Sequence, residues 1–107
     1  MEKIEIATEM KMIDLYATFE KHNDEYIRFD RVENKLHSRP DICAFLLLDK
    51  LLPNDGSRIV SAAEHDDIYL NADCEKLAEV ATDDDILTLI RCGVRYDSST
   101  DGLAMFV

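Results

Sequence analysis

The sequence predicts a single α+β domain spanning residues 1–107, with four to five helices packed on a small antiparallel sheet made of two hairpins, in the order α-α-ββ-α-α-ββ. Three observations lead there. Apolar residues recur at helical spacing in two blocks, each followed by two short β-type runs around a polar turn. A chain of 107 residues with 47% apolar content can bury roughly two thirds of its unfolded surface, so a core is expected. No linker, low-complexity tract or fixed-period repeat divides it, and neither half is long enough to support a core alone.

Residues 9–36 place Met12, Tyr16, Phe19, Tyr26, Phe29, Val32 and Leu36 mostly three, four or seven apart, the signature of an amphipathic helix. The polar run Lys21-His22-Asn23-Asp24-Glu25 interrupts the stripe, so one long helix or two short ones fit. Before it, Lys3-Ile4-Glu5-Ile6 alternates like a strand, but Ile6, Met10, Ile13 and Ala17 continue a helical face, and helix is the reading taken.

Ser38-Arg39-Pro40-Asp41 supplies a capping serine, an early proline and an acid three residues after the serine, which predicts a helix starting near Pro40. From Ile42 to Leu52 that helix is apolar nearly all round and stops at Pro53-Asn54-Asp55-Gly56. It should occupy the centre of the core, and Leu47→Asp should unfold the domain. Runs at 58–64 and 67–71, separated by His65-Asp66, form the first hairpin.

Cys74, Leu77, Ala78 and Ala81 restore helical spacing, and Thr82-Asp83-Asp84-Asp85 opens a further helix carrying Ile86, Leu89 and Ile90. Gly93 should end it as a left-handed cap. Val94 and Tyr96, the loop Ser98-Ser99-Thr100-Asp101-Gly102, and Leu103-Ala104-Met105-Phe106-Val107 make the second hairpin. Its last strand is apolar on both faces, which predicts a central place in the sheet or burial against a partner. Most aromatic side chains are assigned to the core.

Composition excludes several chemistries. The net charge is −11, split −3 over residues 1–37 and −8 over 38–107, and no cluster of Lys and Arg exists to neutralise phosphates, so direct binding to nucleic acid or to an anionic membrane is not expected. Gly56, Gly93 and Gly102 are each accounted for by turns or caps, leaving none for a phosphate-wrapping loop. His22, His37 and His65 lie on different elements without paired ligand spacing, and His65-Asp66-Asp67 reads as a tight turn, so no metal or other cofactor is assigned. No Ser or Cys stands beside a signature base, so no catalytic residue is named and the chain is not read as an enzyme. Cys43, Cys74 and Cys92, an odd number without CxxC spacing, read as reduced core thiols. With no leader and no apolar run long enough for a membrane span, a cytoplasmic location is expected.

Charge distribution supplies the functional expectation. Between Glu64 and Asp85, nine acids (Glu64, Asp66, Asp67, Asp73, Glu75, Glu79, Asp83, Asp84, Asp85) meet one base, Lys76. Helix starts and solvated faces account for each acid singly, but not for the scarcity of interspersed bases. The expectation is a small acidic protein-binding module whose partner is a basic protein surface, in its sharper form an inhibitor that mimics nucleic acid, by compositional analogy with phage-type anti-restriction or anti-CRISPR proteins. Reversing Asp83, Asp84 and Asp85 to Lys should then abolish binding and leave the fold intact. The alternative is a homodimeric adaptor or structural protein that associates through the apolar C-terminal strand or the N-terminal helix, with Tyr26 and Phe29 as anchors.

Overall fold

The computed structural model describes residues 13–53, 56 and 58–106. The helical reading of residues 3–12 lies outside them. Within them the chain forms α1 (Leu15–Lys21), two short 3-10 turns (Asn23–Glu25 and Phe29–Arg31), α2 (Pro40–Leu51), β1 (Val60–Glu64), β2 (Asp67–Leu70), α3 (Cys74–Val80), α4 (Asp83–Arg91), β3 (Val94–Asp97) and β4 (Gly102–Phe106). The result is the α+β domain expected from the sequence.

All four strands are antiparallel in the order β1-β2-β4-β3. The apolar β4 is therefore central, bonded to β2 from Asp67↔Phe106 to Leu70↔Leu103 and to β3 from Val94↔Met105 to Asp97↔Gly102. Because side chains alternate, this register puts Ile68, Leu70, Val94, Tyr96, Leu103 and Met105 on one face, and these join the core. The opposite face carries Asp67, Tyr69, Arg95, Ala104 and Phe106. With both long edges occupied, β4 has no free edge for a second copy of the chain, which removes one route proposed for self-association.

The helix at the centre of the core is α4, not α2. Its Ile86, Leu89 and Ile90 are buried, and it touches α1, α2, β3 and both 3-10 turns. Its start is fixed by a capping box: the Thr82 Oγ1 accepts from Asp85 N at 3.1 Å, and Asp85 Oδ2 accepts from Thr82 N at 2.9 Å. Its end is Gly93, at φ +102°, as the sequence indicated. By contrast α2 buries one stripe, Cys43, Ala44, Leu47 and Leu48, and leaves Leu46, Asp49 and Lys50 exposed. A run apolar all round does not by itself say how many neighbours a helix will find.

Two local expectations are corrected. The cap of α2 is Arg39, with no side-chain bond, so Ser38 does not serve. Beyond Lys21 the N-terminal stripe is not α-helical: after the predicted break, Ile27 takes φ +63° while its N–H donates to Ile90 O at 3.1 Å. A β-branched residue in the left-handed region ends any helix, and here a tertiary hydrogen bond from the centre of the core holds it there. The stripe still faces inward, since Val32 is buried and Tyr26 and Phe29 pack against the core cluster. These two aromatics are half-buried against the core.

Candidate functional site

The nine acids of residues 64–85 do not form one continuous surface. Glu64 and Asp66 sit at the β1–β2 turn, whereas Asp73 follows the far end of β2, so the length of a strand separates the turn from the two acidic helices. Four of the nine serve the fold. Asp67 Oδ1 accepts from Arg95 Nη2 at 2.7 Å across the sheet. Asp73 caps α3 by accepting from the N–H groups of Glu75 and Lys76. Asp85 belongs to the capping box of α4.

Asp83 is the fourth. It accepts from His22 Nε2 at 2.8 Å and from Lys21 Nζ at 3.2 Å, which ties the end of α1 to the start of α4. The hydrogen bond from His22 lowers its pKa most; burial opposes this, and the hydrogen bond from Lys21 adds to the lowering. Glu64 has only His65 at 3.9 Å, both side chains being largely exposed.

The acids left without a cation among the described residues are Asp66 on the turn and Glu75, Glu79 and Asp84 on the helices. Glu75 and Glu79 are one turn apart on the outer face of α3, and Asp84 lies on the outer side of the first turn of α4. Lys76 is the one base within α3, and Lys21 reaches the start of α4 at Asp83.

A second feature was not visible in the sequence. A cavity of about 340 Å³ opens between α1, the first 3-10 turn, the end of α4 and β3, walled by Tyr16, Phe19, Tyr26, Tyr96 and Phe106, with Glu20, Asn23 and Arg95 among its polar residues. Tyr16 and Phe106 are 53% and 57% exposed, exceptions to the assignment of most aromatic side chains to the core. Tyr16 meets Tyr96 edge-on at 5.5 Å, and the negative charge of Glu20 raises the Tyr16 pKa. The Tyr96 hydroxyl donates to Asp101, which pushes its pKa up to about 12.

On the groove's inner wall the Arg95 guanidinium lies 4.2 Å from the Phe106 ring centroid and is neutralised by Asp67. Burial opposes the charge of Arg95, but its hydrogen bond to Asp67 and then the nearby Tyr26 Oη raise its pKa; among the described residues neither Oη nor Arg95 Nη1 completes a hydrogen bond, and both are shut off from solvent. The only clues to this groove in the sequence were Tyr16 at the edge of the helical stripe and the adjacent pair Arg95-Tyr96.

Among the described residues no group of three His, Cys, Asp or Glu side chains is placed to hold a metal ion, and no helix is long and apolar enough to cross a membrane. Cys43 and Cys92 are buried and Cys74 is half-buried; burial, followed by the nearby Cys43, pushes the Cys92 thiol up to about 12. No known protein family matches the chain, and neither a curated protein nor a solved structure is significantly similar to it.

Proposed function

We propose that this chain is a small acidic protein-binding module whose partner presents a cationic surface, such as the nucleic-acid channel of a basic protein, and that it acts by occupying the place of phosphates. The observation that carries the reading is a net charge of −11 together with Glu75, Glu79 and Asp84 exposed on consecutive helices with no ammonium or guanidinium group bound to them among the described residues. The helix dipole offsets part of the self-repulsion of Glu75 and Asp84, which sit in first turns, and Glu79 has no such compensation, so an external cation is the economical explanation for the remainder. The four acids engaged in caps and ion pairs support the fold, which narrows the partner-facing set from the nine of the sequence reading.

Such a contact is screened by salt: the Debye length falls from about 10 Å at 0.1 M to about 3 Å at 1 M. Immobilised protein is expected to retain a nucleic-acid-binding protein at low salt, to release it as salt rises, and to lose it to added duplex DNA. The variant Glu75→Lys/Glu79→Lys/Asp84→Lys should retain nothing under the same conditions. Retention that survives this reversal, or that duplex DNA does not displace, would overturn the proposal.

A further inference from the structure

The sheet ends in two edge strands, and they differ. β1 is irregular, with a register shift between Val60 and Ala62, and its Ser61, Ala62, Ala63 and Glu64 are all exposed. A bulge and a charge are the usual means of closing an edge to further strands. β3 pairs regularly with β4 over four positions, and no backbone hydrogen bond reaches Val94–Asp97 from any other described segment. Alternate N–H and C=O groups of β3 therefore point outward with no backbone partner.

The aromatic groove runs along that edge. Val94, Arg95 and Tyr96 all line it, and since successive strand residues point to opposite faces, a cavity touching three in a row follows the strand's side and not one of its faces. The opposite wall is Tyr16, Phe19 and Glu20 of α1 with Asn23 and Tyr26. An unpaired backbone edge beside pockets for side chains is the arrangement that accepts an extended peptide: main-chain bonds supply affinity and the pockets select residues.

Charge decides the occupant. Arg95 is already neutralised by Asp67, so among the described residues Glu20 is the groove's uncompensated ion, set in a molecule of net charge −11. A second copy of the chain would bring the same charge to the same edge and be repelled. We propose that β3 and its groove receive an extended segment of a partner protein, alternating apolar residues with Lys or Arg, as a fifth strand of the sheet. This surface is distinct from the acidic helices, and the two share only the sign of the partner's charge.

The test selects random decapeptides displayed on phage against the wild-type protein and then measures binding of the enriched peptides. Enriched peptides should alternate apolar with basic residues, slow the exchange of amides in 94–97, and bind Tyr16→Ser/Phe106→Ser at least tenfold more weakly. They should bind Glu75→Lys/Glu79→Lys/Asp84→Lys within about threefold of wild type, so that loss of this site and loss of the acidic surface are told apart. Glu20→Lys, an exposed change on α1, is a second probe and should also cost at least tenfold. Failure to enrich any peptide, equal binding to the groove variants, protection of β1 in place of β3, or a salt-strengthened dimer in sedimentation would each overturn the proposal.

Discussion

Two triple charge reversals that alter net charge equally are expected to affect the fold very differently. Changing Asp83, Asp84 and Asp85 to Lys, or Glu75, Glu79 and Asp84 to Lys, takes the net charge from −11 to −5 in each case, since three substitutions each add two. The first set dismantles the start of α4. Losing the Asp85 half of the capping box costs about 1 kcal/mol. Losing the half-exposed contacts of Asp83 costs about 0.5 kcal/mol. Three cations in place of three anions at the positive end of the helix cost about 0.5 kcal/mol each.

The sum is about 3 kcal/mol out of a stability of about 5–15 kcal/mol for a domain. In the second set only Asp84, and Glu75 in the first turn of α3, feel a helix dipole, so the cost is about 1 kcal/mol. With a urea m-value of about 2 kcal/mol/M, the unfolding midpoints followed by circular dichroism should differ by about 1 M. A gap below about 0.3 M would refute the division of these acids into structural and free, given that slope. Reversing the whole Asp83–Asp85 triplet is therefore a poor test of binding, contrary to what the sequence indicated.

Tyr26→Phe removes a buried hydroxyl that completes no hydrogen bond, so thermal unfolding should be unchanged or raised by up to about 1 kcal/mol, and a loss above about 1 kcal/mol would mean that Tyr26 does pair with Arg95. Asp83 has a lowered pKa in the fold, so its contribution is present above its unfolded pKa of about 3.9 and is lost as pH falls through the folded value. Asp83→Asn should accordingly be less stable than wild type at pH 6 and converge with it in acid, read by urea midpoints; a constant gap at every pH would contradict the linkage. Iodoacetamide near neutrality should modify Cys74 well before Cys92 or Cys43, because the thiolate is the nucleophile and the Cys92 thiol is both buried and held near 12. Equal labelling in native protein, read by peptide mass mapping, would contradict the packing described.

Most elements that rest on short-range chemistry were legible in the sequence, the Ser38 cap of α2 excepted. Thr82 and Asp85 announce their capping box, Gly93 its left-handed stop, and His65-Asp66 its turn, because in each case the partners lie within a few residues. The apolar composition of residues 103–107 left β4 either central in the sheet or buried against a partner, and the strand order selects the first. What could not be read depends on contacts made at a distance. Ile27 leaves the helical region to meet Ile90, Asp83 finds Lys21 and His22, and Asp67 finds Arg95, all across intervals that no local pattern spans. The groove was hidden for the same reason, since its walls come from α1, β3 and β4. Its two most exposed rings, Tyr16 and Phe106, looked like core residues because a stripe shows periodicity and not whether a neighbour arrives to cover its margin.

The strand order also dictates when the fold can be completed. Residues 67–70 cannot gain their second pairing partner, nor residues 94–97 their first, until 102–106 have left the ribosome. Until then the first hairpin is a two-stranded ribbon, marginal in water, while Ile68 and Leu70 wait for Met105 and Leu103. The nascent chain therefore passes through an interval in which aggregation competes with closure, and a lesion that delays or weakens 102–106 should lower yield more than equilibrium stability alone would suggest.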